Sequence, residues 1–404
     1  MVSVLDNDIK LGTRFIEDPY GVYAELRSTG PVRKVELPTG VRVWLVTDYA
    51  EARAALADPT LSKNVRKSAD IIDRHLAPGA KRVDFSTSLS SHMLNTDPPN
   101  HTRLRKLVNK AFTAGGVDHL RPRIEAITEE LLAGMDGAHE IDLLEAFAFP
   151  LPITVICEML GVPIDDRDDF RSWSNQLLSN DRSEKLHNAA ASMQTYLIGL
   201  IEAKRAEPSA DLLSALIEAS EDGDRLSGEE LVSMAFLLLV AGHETTVNLI
   251  GNAMLGLLTR PDQLAALKAD PTLLSGAIEE FLRYDGPVNL ATFRLTTQPL
   301  VLGGTEIPAD EFVVVAVTAA NRDEARFPDA DQLDVTRNAG GHLAFGHGIH
   351  YCVGAPLARM EAEIALGGLL SRFPNMTLAQ DKDDLRWRNS MIRGLEELRV
   401  RPQG

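Results

Sequence analysis

The chain has 404 residues, of which 44% are hydrophobic and 25% charged, as in ordinary soluble globular proteins. A net charge of −17 argues against nucleic acid as the main partner, because phosphate binding needs clustered lysines and arginines. Two cysteines form no disulfide framework and suit a reducing cytoplasm. The N-terminus has no signal-peptide pattern, and the longest apolar run, Met234 to Gly242, is too short to span a bilayer. We therefore expect a cytoplasmic protein that is not in a membrane.

The first part of the chain mixes helices and strands. A helix is predicted over 17–30, and strands over 32–36 and 41–46 are joined by a turn. Asp48 is expected to cap a short helix. Residues 59–95 show little periodicity, which predicts a long irregular loop with a short helix around Ile71–Leu76, and a loop of that length is often functional.

Most of the remaining chain is predicted to be helical. A helix opens at Asp97, and a long one runs from Ser227, where Ser227 and Glu230 form a capping-box pattern, towards Pro261. Ser275 is expected to cap another. Further helices are predicted from apolar spacing at 121–134, 143–160, 167–179, 184–206, 210–219 and after Cys352, with strands within 288–317. The fold class is mainly α with a smaller β region, in a single domain over 1–404.

A glycine-rich loop around Cys352 carries the strongest chemical signal. The run from Phe345 to Gly354 has the pattern Phe-x-x-Gly-x-x-x-Cys-x-Gly. Glycines let a backbone approach a flat ligand closely, and the start of the following helix favours a thiolate. Cys352 is therefore a candidate metal ligand, whereas Cys157 is interpreted as a core residue.

Three other clusters contain charged or hydroxyl side chains on predicted helices, in patterns that a purely apolar core would not contain. His101 and Arg105 lie four residues apart on one helical face, where they can bind an anion. The long helix contains Ala241-Gly242-His243-Glu244-Thr245-Thr246, with a carboxylate and hydroxyls inside an apolar run. Glu280 and Arg283, three residues apart, can form an ion pair.

These four motifs, in this order, resemble those of cytochromes P450, and the resemblance covers essentially the whole chain. It implies the cytochrome P450 fold and haem b, with Cys352 as the axial thiolate to iron. It also implies that Thr245 hydrogen-bonds dioxygen and that Glu244 helps to relay protons. Ala241 and Gly242 would leave space for dioxygen and substrate.

The resemblance further assigns the groups around the haem. Glu280, Arg283 and Arg337 would form a buried charge network behind it, with a structural role. The histidines and arginines among the haem-binding residues would contact its two propionates. The haem-binding residues implied in this way are His101, Arg105, Ala241, Arg294, Phe345, Gly346, His350 and Gly354.

The activity implied is that of a monooxygenase, which inserts one atom of O2 into a bulky lipophilic molecule by hydroxylation or epoxidation. The motifs look most like those of actinomycete P450s that oxidise macrolides and other polyketides in secondary metabolism. A steroid or terpenoid hydroxylase is the alternative. The substrate pocket is expected to be lined by Leu94, Leu237, Val240, Val288, Leu290, Ala291 and Ile392.

Electrons must come from outside the chain, because it has no flavin or iron–sulfur signature of its own. The resemblance implies a ferredoxin and an NAD(P)H-dependent ferredoxin reductase as donors to a monomeric enzyme. The predicted docking surface is a basic patch near Cys352 made of Arg103, Lys106, Lys110 and Arg359.

Three other functions compete with this interpretation. A peroxide-driven peroxygenase tends to lack the acid–alcohol pair that Glu244 and Thr245 form here, and a haem sensor would not need that pair. A zinc protein could use histidines near Cys352, although their spacing is not typical of zinc sites. A zinc protease of the His-Glu-x-x-His type is excluded, because the second histidine would fall at Val247.

Overall fold

The structure, a computed structural model, describes residues 9–80, 87–113, 117–180, 184–221 and 224–404. Within these ranges helices dominate and short strands form small sheets. The α-helices are α1 Thr13–Glu17, α2 Pro19–Arg27, α3 Tyr49–Ala57, α4 Val65–Ala69, α5 Thr87–Ser90, α6 Asn100–Thr113, α7 Arg121–Gly134, α8 Pro150–Leu160, α9 Arg167–Leu178, α10 Glu184–Ala206, α11 Leu212–Glu218, α12 Gly228–Leu258, α13 Pro261–Ala269, α14 Leu274–Asp285, α15 Val317–Ala320 and α16 Ala355–Arg372.

The strands form one larger sheet and three small ones. The six-stranded sheet has the order β1-β2-β3-β11-β8-β4, and the others are β9–β10, β12-β13-β5 and β6–β7. The strands are β1 Ile9–Lys10, β2 Val32–Glu36, β3 Arg42–Val46, β4 Leu61–Ser62, β5 Ile141–Asp142, β6 Ser220–Glu221, β7 Asp224–Arg225, β8 Arg294–Thr296, β9 Leu300–Leu302, β10 Thr305–Ile307, β11 Phe312–Val315, β12 Thr377–Leu378 and β13 Arg399–Arg401.

Strand pairing in the large sheet joins distant parts of the chain. Strands β2 and β3 form the predicted antiparallel pair, and β11 lies parallel to β3 with Val313 opposite Trp44. On the other side β8 is antiparallel to both β11 and β4, with Ser62 opposite Leu295. The residues after Ser62 are therefore brought beside β8, more than 200 positions later in the sequence.

Helix α12 is the central element of the helical part. Its N-terminus carries the capping box between Ser227 and Glu230 that the sequence predicts. By length and composition it could cross a membrane, yet 72% of its most apolar window is buried inside the protein. Its side chains pack in the main hydrophobic cluster, so α12 is the core helix of this fold.

Three local expectations are wrong. Asp48 makes no capping hydrogen bond at α3, because its carboxylate accepts instead from Arg27 Nε at 3.1 Å. Ser275 does not cap a helix, since α14 already begins at Leu274. The region 59–95 is more ordered than the predicted irregular loop, because it also holds β4, α4, α5 and the 3₁₀ helix Met93–Asn95, although 81–86 lie outside the described residues. The short helix predicted around Ile71–Leu76 is present as the 3₁₀ helix Ile72–His75.

Candidate active site

The loop before α16 holds Cys352 in a glycine-rich turn. Gly346 and Gly348 have φ of +75° and +76°, a conformation that glycine adopts without strain. At Gly348 a Cβ atom would also lie 3.1 Å from Ala57 Cα, so the loop packs tightly against the end of α3. The Cys352 N–H donates to Phe345 O at 2.9 Å and closes the loop. Cys352 remains exposed as a free thiol, whereas Cys157 is buried.

The surroundings of Cys352 act on its charge in opposite directions. Although Cys352 is solvent-exposed, protein atoms surround most of its thiol group. The resulting desolvation raises the pKa of the thiol. The backbone N–H groups of Gly354 and Ala355 and the positive charges of Arg105 and Arg359 favour the thiolate. These donors at the start of α16 fit a thiolate that binds a metal cation.

Helix α12 has an accessible stripe in the middle of its buried length. Leu237, Ala241 and Thr245 are spaced four residues apart and therefore share one face, and all three are accessible in a mostly buried helix. The Thr245 hydroxyl donates to Ala241 O at 2.8 Å, which leaves its oxygen able to accept a hydrogen bond. The stripe gives α12 one accessible face with a single hydroxyl on it.

Gly242 does not leave space for a ligand, contrary to the sequence-based expectation. A Cβ atom on Gly242 would lie 3.0 Å from Ile156 Cδ1 of α8. The glycine therefore permits the close approach of two helices, and the space at this level of α12 belongs to the exposed Ala241 alone.

Glu244 is buried on the side of α12 that faces the C-terminal loop. It is 1% exposed, and Oε2 accepts from Arg388 Nη1 at 3.3 Å. Oε1 has no hydrogen-bond partner among the described residues and lies 3.6 Å from His243 Nε2. Arg388, which sequence reasoning missed, also donates to Asn175 Oδ1 of α9. A cavity of about 420 Å³ lined by Arg388, Asn175 and Asn248 adjoins this pair.

The charge network predicted from Glu280 is fully assembled. Arg283 donates to Glu280 from Nε at 2.6 Å and from Nη2 at 2.8 Å, and both side chains are completely buried. Arg337 Nε adds a third bond to Glu280 at 3.2 Å. The remaining donors of Arg283 reach the carbonyls of Asn321, Ala330 and Gln332, so the meander before the cysteine loop is anchored on this ion pair.

Basic side chains converge around Arg294, with the charge of Asp97 nearby. Arg294 is 5% exposed, and burial lowers its pKa to about 10. The His101 and His350 rings pack with centroids 4.4 Å apart, and burial with nearby cations lowers the pKa of His350 to about 2. Among the described side chains, His101 Nε2 and Arg294 Nε are buried without a partner. Unpaired buried donors of this kind fit the two carboxylates of a haem.

Lys63 and His92 join this cationic cluster and were missed by sequence reasoning. Lys63 is 4% exposed and His92 is 5% exposed. Burial, together with a smaller contribution from the charge of Lys63, lowers the pKa of His92 to about 3. Nothing in the local sequence marks either residue, because both lie in the region predicted to be an irregular loop.

Arg105 is directed at the cysteine loop. Its Nη1 donates to Tyr351 O at 2.8 Å. The other residues of the loop that are predicted to bind haem, Phe345, Gly346, His350 and Gly354, are partly buried. The Arg359 guanidinium lies 4.5 Å from the Phe345 ring centroid.

The predicted substrate residues are accessible or lie at the edge of the core. Val240 is 8% exposed, and the other six are partly buried. Val288 and Ile392 are joined by a backbone bridge, and Leu290 is bridged to Ala316. His92 stacks on Phe236 with ring centroids 6.4 Å apart, which brings the short helix with Leu94 close to α12.

A zinc site finds no support. No group of three or more histidine, cysteine, aspartate or glutamate side chains in the described ranges is placed to hold a metal ion. His342 Nε2 lies 3.1 Å from Glu279 Oε2, so this histidine belongs to an ion-paired group.

Comparisons with known proteins agree with the geometry. The cytochrome P450 family model matches residues 153–393. Cytochrome P450 107B1 of Saccharopolyspora erythraea is 56% identical over 389 residues, which cover 96% of each chain. The cytochrome P450 monooxygenase PikC of Streptomyces venezuelae is 50% identical, over 97% of this chain and 92% of its own.

Solved structures give the same result. The tirandamycin C-bound P450 monooxygenase TamI superposes with a TM-score of 0.90 at 52% identity, over 97% of this chain and 99% of that one. The thiolate loop and the cationic cluster, which has donors for two carboxylates, fit the haem b of this family. The chain belongs to the cytochrome P450 family and is a haem-thiolate monooxygenase.

Proposed function

We propose that this monooxygenase hydroxylates or epoxidises a macrolide or a related polyketide in secondary metabolism. The observation that carries the proposal is the accessible, largely apolar stripe of Leu237, Ala241 and Thr245 in a mostly buried helix of a protein whose cysteine loop is also accessible. Partly exposed apolar residues on three other segments, at Leu94, Leu290 and Ile392, add the wall that a bulky lipophilic molecule requires.

The names of similar proteins support the same substrate class. The relatives include a 6-deoxyerythronolide B hydroxylase of Saccharopolyspora erythraea and a mycinamicin IV hydroxylase/epoxidase of Micromonospora griseorubida, at 45% and 41% identity. A vitamin D(3) 25-hydroxylase of Pseudonocardia autotrophica, at 48% identity, keeps a steroid-like substrate as the alternative.

The side chains around the cavity have separate tasks in this proposal. When bound, haem uses two electrons and two protons to place one atom of O2 in a C–H or C=C bond and release the other as water. Cys352 supplies the thiolate that holds the iron. The Thr245 oxygen accepts a hydrogen bond on the accessible face of α12, and the Glu244 carboxylate relays protons by taking them up on the Arg388 side of α12 and passing them on.

We also propose that an acidic ferredoxin, reduced by an NAD(P)H-dependent reductase in the cytoplasm, docks beside the cysteine loop. The predicted basic patch needs revision, because Arg103 is paired with Glu230 and Arg359 with Glu279 at 2.6 Å. A cavity of about 500 Å³ next to Tyr351 is lined instead by Arg53, Arg326 and His347, together with Tyr49, Glu279, His342 and Arg359. Arg53 is exposed there and adds positive charge to an acidic protein.

Substrate class is tested by titration and turnover of the purified holoenzyme. After a reduced carbon monoxide difference spectrum has verified thiolate ligation, macrolactones, steroids and terpenoids are compared by the spin-state shift of the Soret band. We expect macrolactones to give the largest shift and, with ferredoxin, reductase and NADPH, a product heavier by one oxygen atom. Shifts and products obtained only with steroids or terpenoids would reject the polyketide assignment.

The electron route is tested with two charge reversals. Arg53→Glu should slow reduction of the haem iron by ferredoxin several-fold, and the effect should weaken at high salt because it is electrostatic. Lys268→Glu, an exposed change on α13, is the control. Equal rates for Arg53→Glu and wild type would remove this docking surface, and turnover with peroxide but not with ferredoxin would favour a peroxygenase.

A further inference from the structure

Lys63 is a buried lysine without a carboxylate partner. It follows β4, its side chain is 4% exposed, and its ammonium group hydrogen-bonds to the hydroxyl of Thr292. Asp97 accepts the backbone N–H of Lys63 at 2.7 Å, but no carboxylate of the described residues forms an ion pair with the ammonium group. A buried ammonium ion is costly unless an anion compensates it.

The surroundings of Lys63 increase this cost. Burial and the nearby positive charge of Arg294 disfavour its charged form, and the more weakly acting charge of Asp97 does not offset them. The two cations are brought together by the sheet, because β4 pairs with β8, where Ser62 lies opposite Leu295 and Arg294 begins the strand. Arg294 Nε and His92 Nδ1 are buried donors without partners in the same cluster. A fold that holds two cations together in its interior calls for an anion between them.

We propose that Lys63 is a further haem-binding residue, whose ammonium group binds one propionate carboxylate together with Arg294. The proposal rests on haem b as the cofactor, which the family establishes. An ammonium group has three donors, and Thr292 takes one, so two remain for a carboxylate. The resemblance of motifs identified His101, Arg105, Arg294 and His350 for this task, and Lys63 adds a cation from the strand that pairs with the strand of Arg294.

The first experiment measures haem loss from holoenzyme to an excess of apomyoglobin. Lys63→Met removes the ammonium group and keeps an unbranched side chain, and Lys67→Met, an exposed change on α4, is the matched control. A hydrogen bond to a charged group is worth about 1.5–3 kcal/mol, so Lys63→Met should lose haem about ten- to a hundredfold faster than wild type. Lys67→Met should lose it at the wild-type rate.

A spectroscopic readout separates contact with the propionate from a merely structural role. The propionate bending band in the resonance Raman spectrum of the ferric holoenzyme should move in Lys63→Met and stay unchanged in Lys67→Met. Lys63→Arg keeps the charge and should restore most of the haem retention. It also provides the Raman test if Lys63→Met yields no holoenzyme, since a guanidinium in place of the ammonium should move the same band.

Two results would overturn the proposal. Haem loss from Lys63→Met at the wild-type rate would mean that the ammonium group does not bind the cofactor. Faster loss with an unmoved propionate band would mean that Lys63 supports the loop and does not touch the carboxylate. A failure of the polyketide assignment leaves both measurements unaffected, because neither uses a substrate.

Discussion

Arg388 Nη1 donates to Glu244 Oε2 at 3.3 Å and so joins the C-terminal loop to the middle of α12. Burial by itself favours the neutral form of Glu244, but the close approach of His243 and the hydrogen bond and charge of Arg388 outweigh it and lower the pKa of the carboxyl. The loop approaches very closely: a Cβ atom on Gly394 would lie 1.5 Å from Asn248 Oδ1. Glu244 is therefore held ionised by a residue 144 positions away.

Arg388→Met should destabilise the protein through Glu244. The variant leaves a carboxylate buried with His243 as its remaining partner, so the free energy of unfolding should fall by about 1–3 kcal/mol at pH 7. Denaturant unfolding measures the change, with Arg386→Met on the exposed part of the loop as the control.

A double-mutant cycle assigns that loss to the pair. In a Glu244→Gln background, Arg388→Met should cost clearly less than in wild type, because no buried charge is stranded. Because the folded pKa of Glu244 is lowered, its stabilisation is present above the unfolded pKa of about 4.3 and is lost as the pH falls through the folded value. Equal costs of Arg388→Met in both backgrounds would contradict the coupling.

Thr245→Ala should separate electron consumption from product formation. The methyl side chain keeps the cavity wall, so haem and substrate should still bind, but the hydrogen bond offered at Thr245 Oγ1 is lost. We expect most electrons from NADPH to appear as hydrogen peroxide, while Thr245→Ser restores coupling. The ratio of product to NADPH consumed is the measurement, and well-coupled product formation by Thr245→Ala would contradict the role of the hydroxyl.

Cys352→Ala should remove the thiolate signature. Without the sulfur ligand, the reduced carbon monoxide complex should lose its strongly red-shifted Soret band, and all monooxygenase turnover should stop. Cys157→Ala, in the buried part of α8, is the control and should keep both. An unchanged spectrum in Cys352→Ala would place the axial ligand elsewhere.

Glu280→Gln should impair the assembly of the haem-binding end of the protein. The substitution strands the fully buried Arg283, which should cost about 3–5 kcal/mol. We expect a lower yield of soluble holoprotein, measured as the ratio of Soret to protein absorbance, and a lower Tm. Glu324→Gln, an exposed change in the meander, should alter neither. A normal Tm for Glu280→Gln would show that the network is dispensable.

Glu361 of α16 should make stability fall with rising pH. It is 1% exposed, Oε2 has no partner among the described residues, and burial raises the pKa to about 8 despite a hydrogen bond with Thr246. The folded state therefore holds a proton that the unfolded chain releases near pH 4.3, so this group favours unfolding increasingly between about pH 4.3 and 8.

Glu361→Gln is expected to flatten that dependence. The variant should lose less Tm than wild type between pH 6 and pH 8.5, because its amide carries no titrating proton. Glu363→Gln, on the same helix but exposed, is the matched control and should follow wild type. Parallel pH profiles for Glu361→Gln and wild type would show that Glu361 does not titrate in this range.

Local patterns in the sequence predict the geometry of a feature when its residues lie close together in the chain. The capping box at Ser227, the glycine turns before Cys352 and the Glu280–Arg283 pair each lie within one turn or loop, so their spacing predicts their geometry. Helix α7 and helix α10 have the predicted bounds because their apolar periodicity is uninterrupted. The family and its cofactor follow from these local motifs.

Contacts between distant segments required the tertiary structure. Lys63 meets Arg294 because β4 pairs with β8, and Arg388 meets Glu244 because Gly394 lets the C-terminal loop approach α12. Gly242 faces Ile156 and not the cavity, which helix periodicity alone does not reveal. The sequence by itself determined the family and its cofactor, whereas the three-dimensional packing decided the charge partners of the buried groups, because burial and Coulomb interactions depend on distance in space and not along the chain.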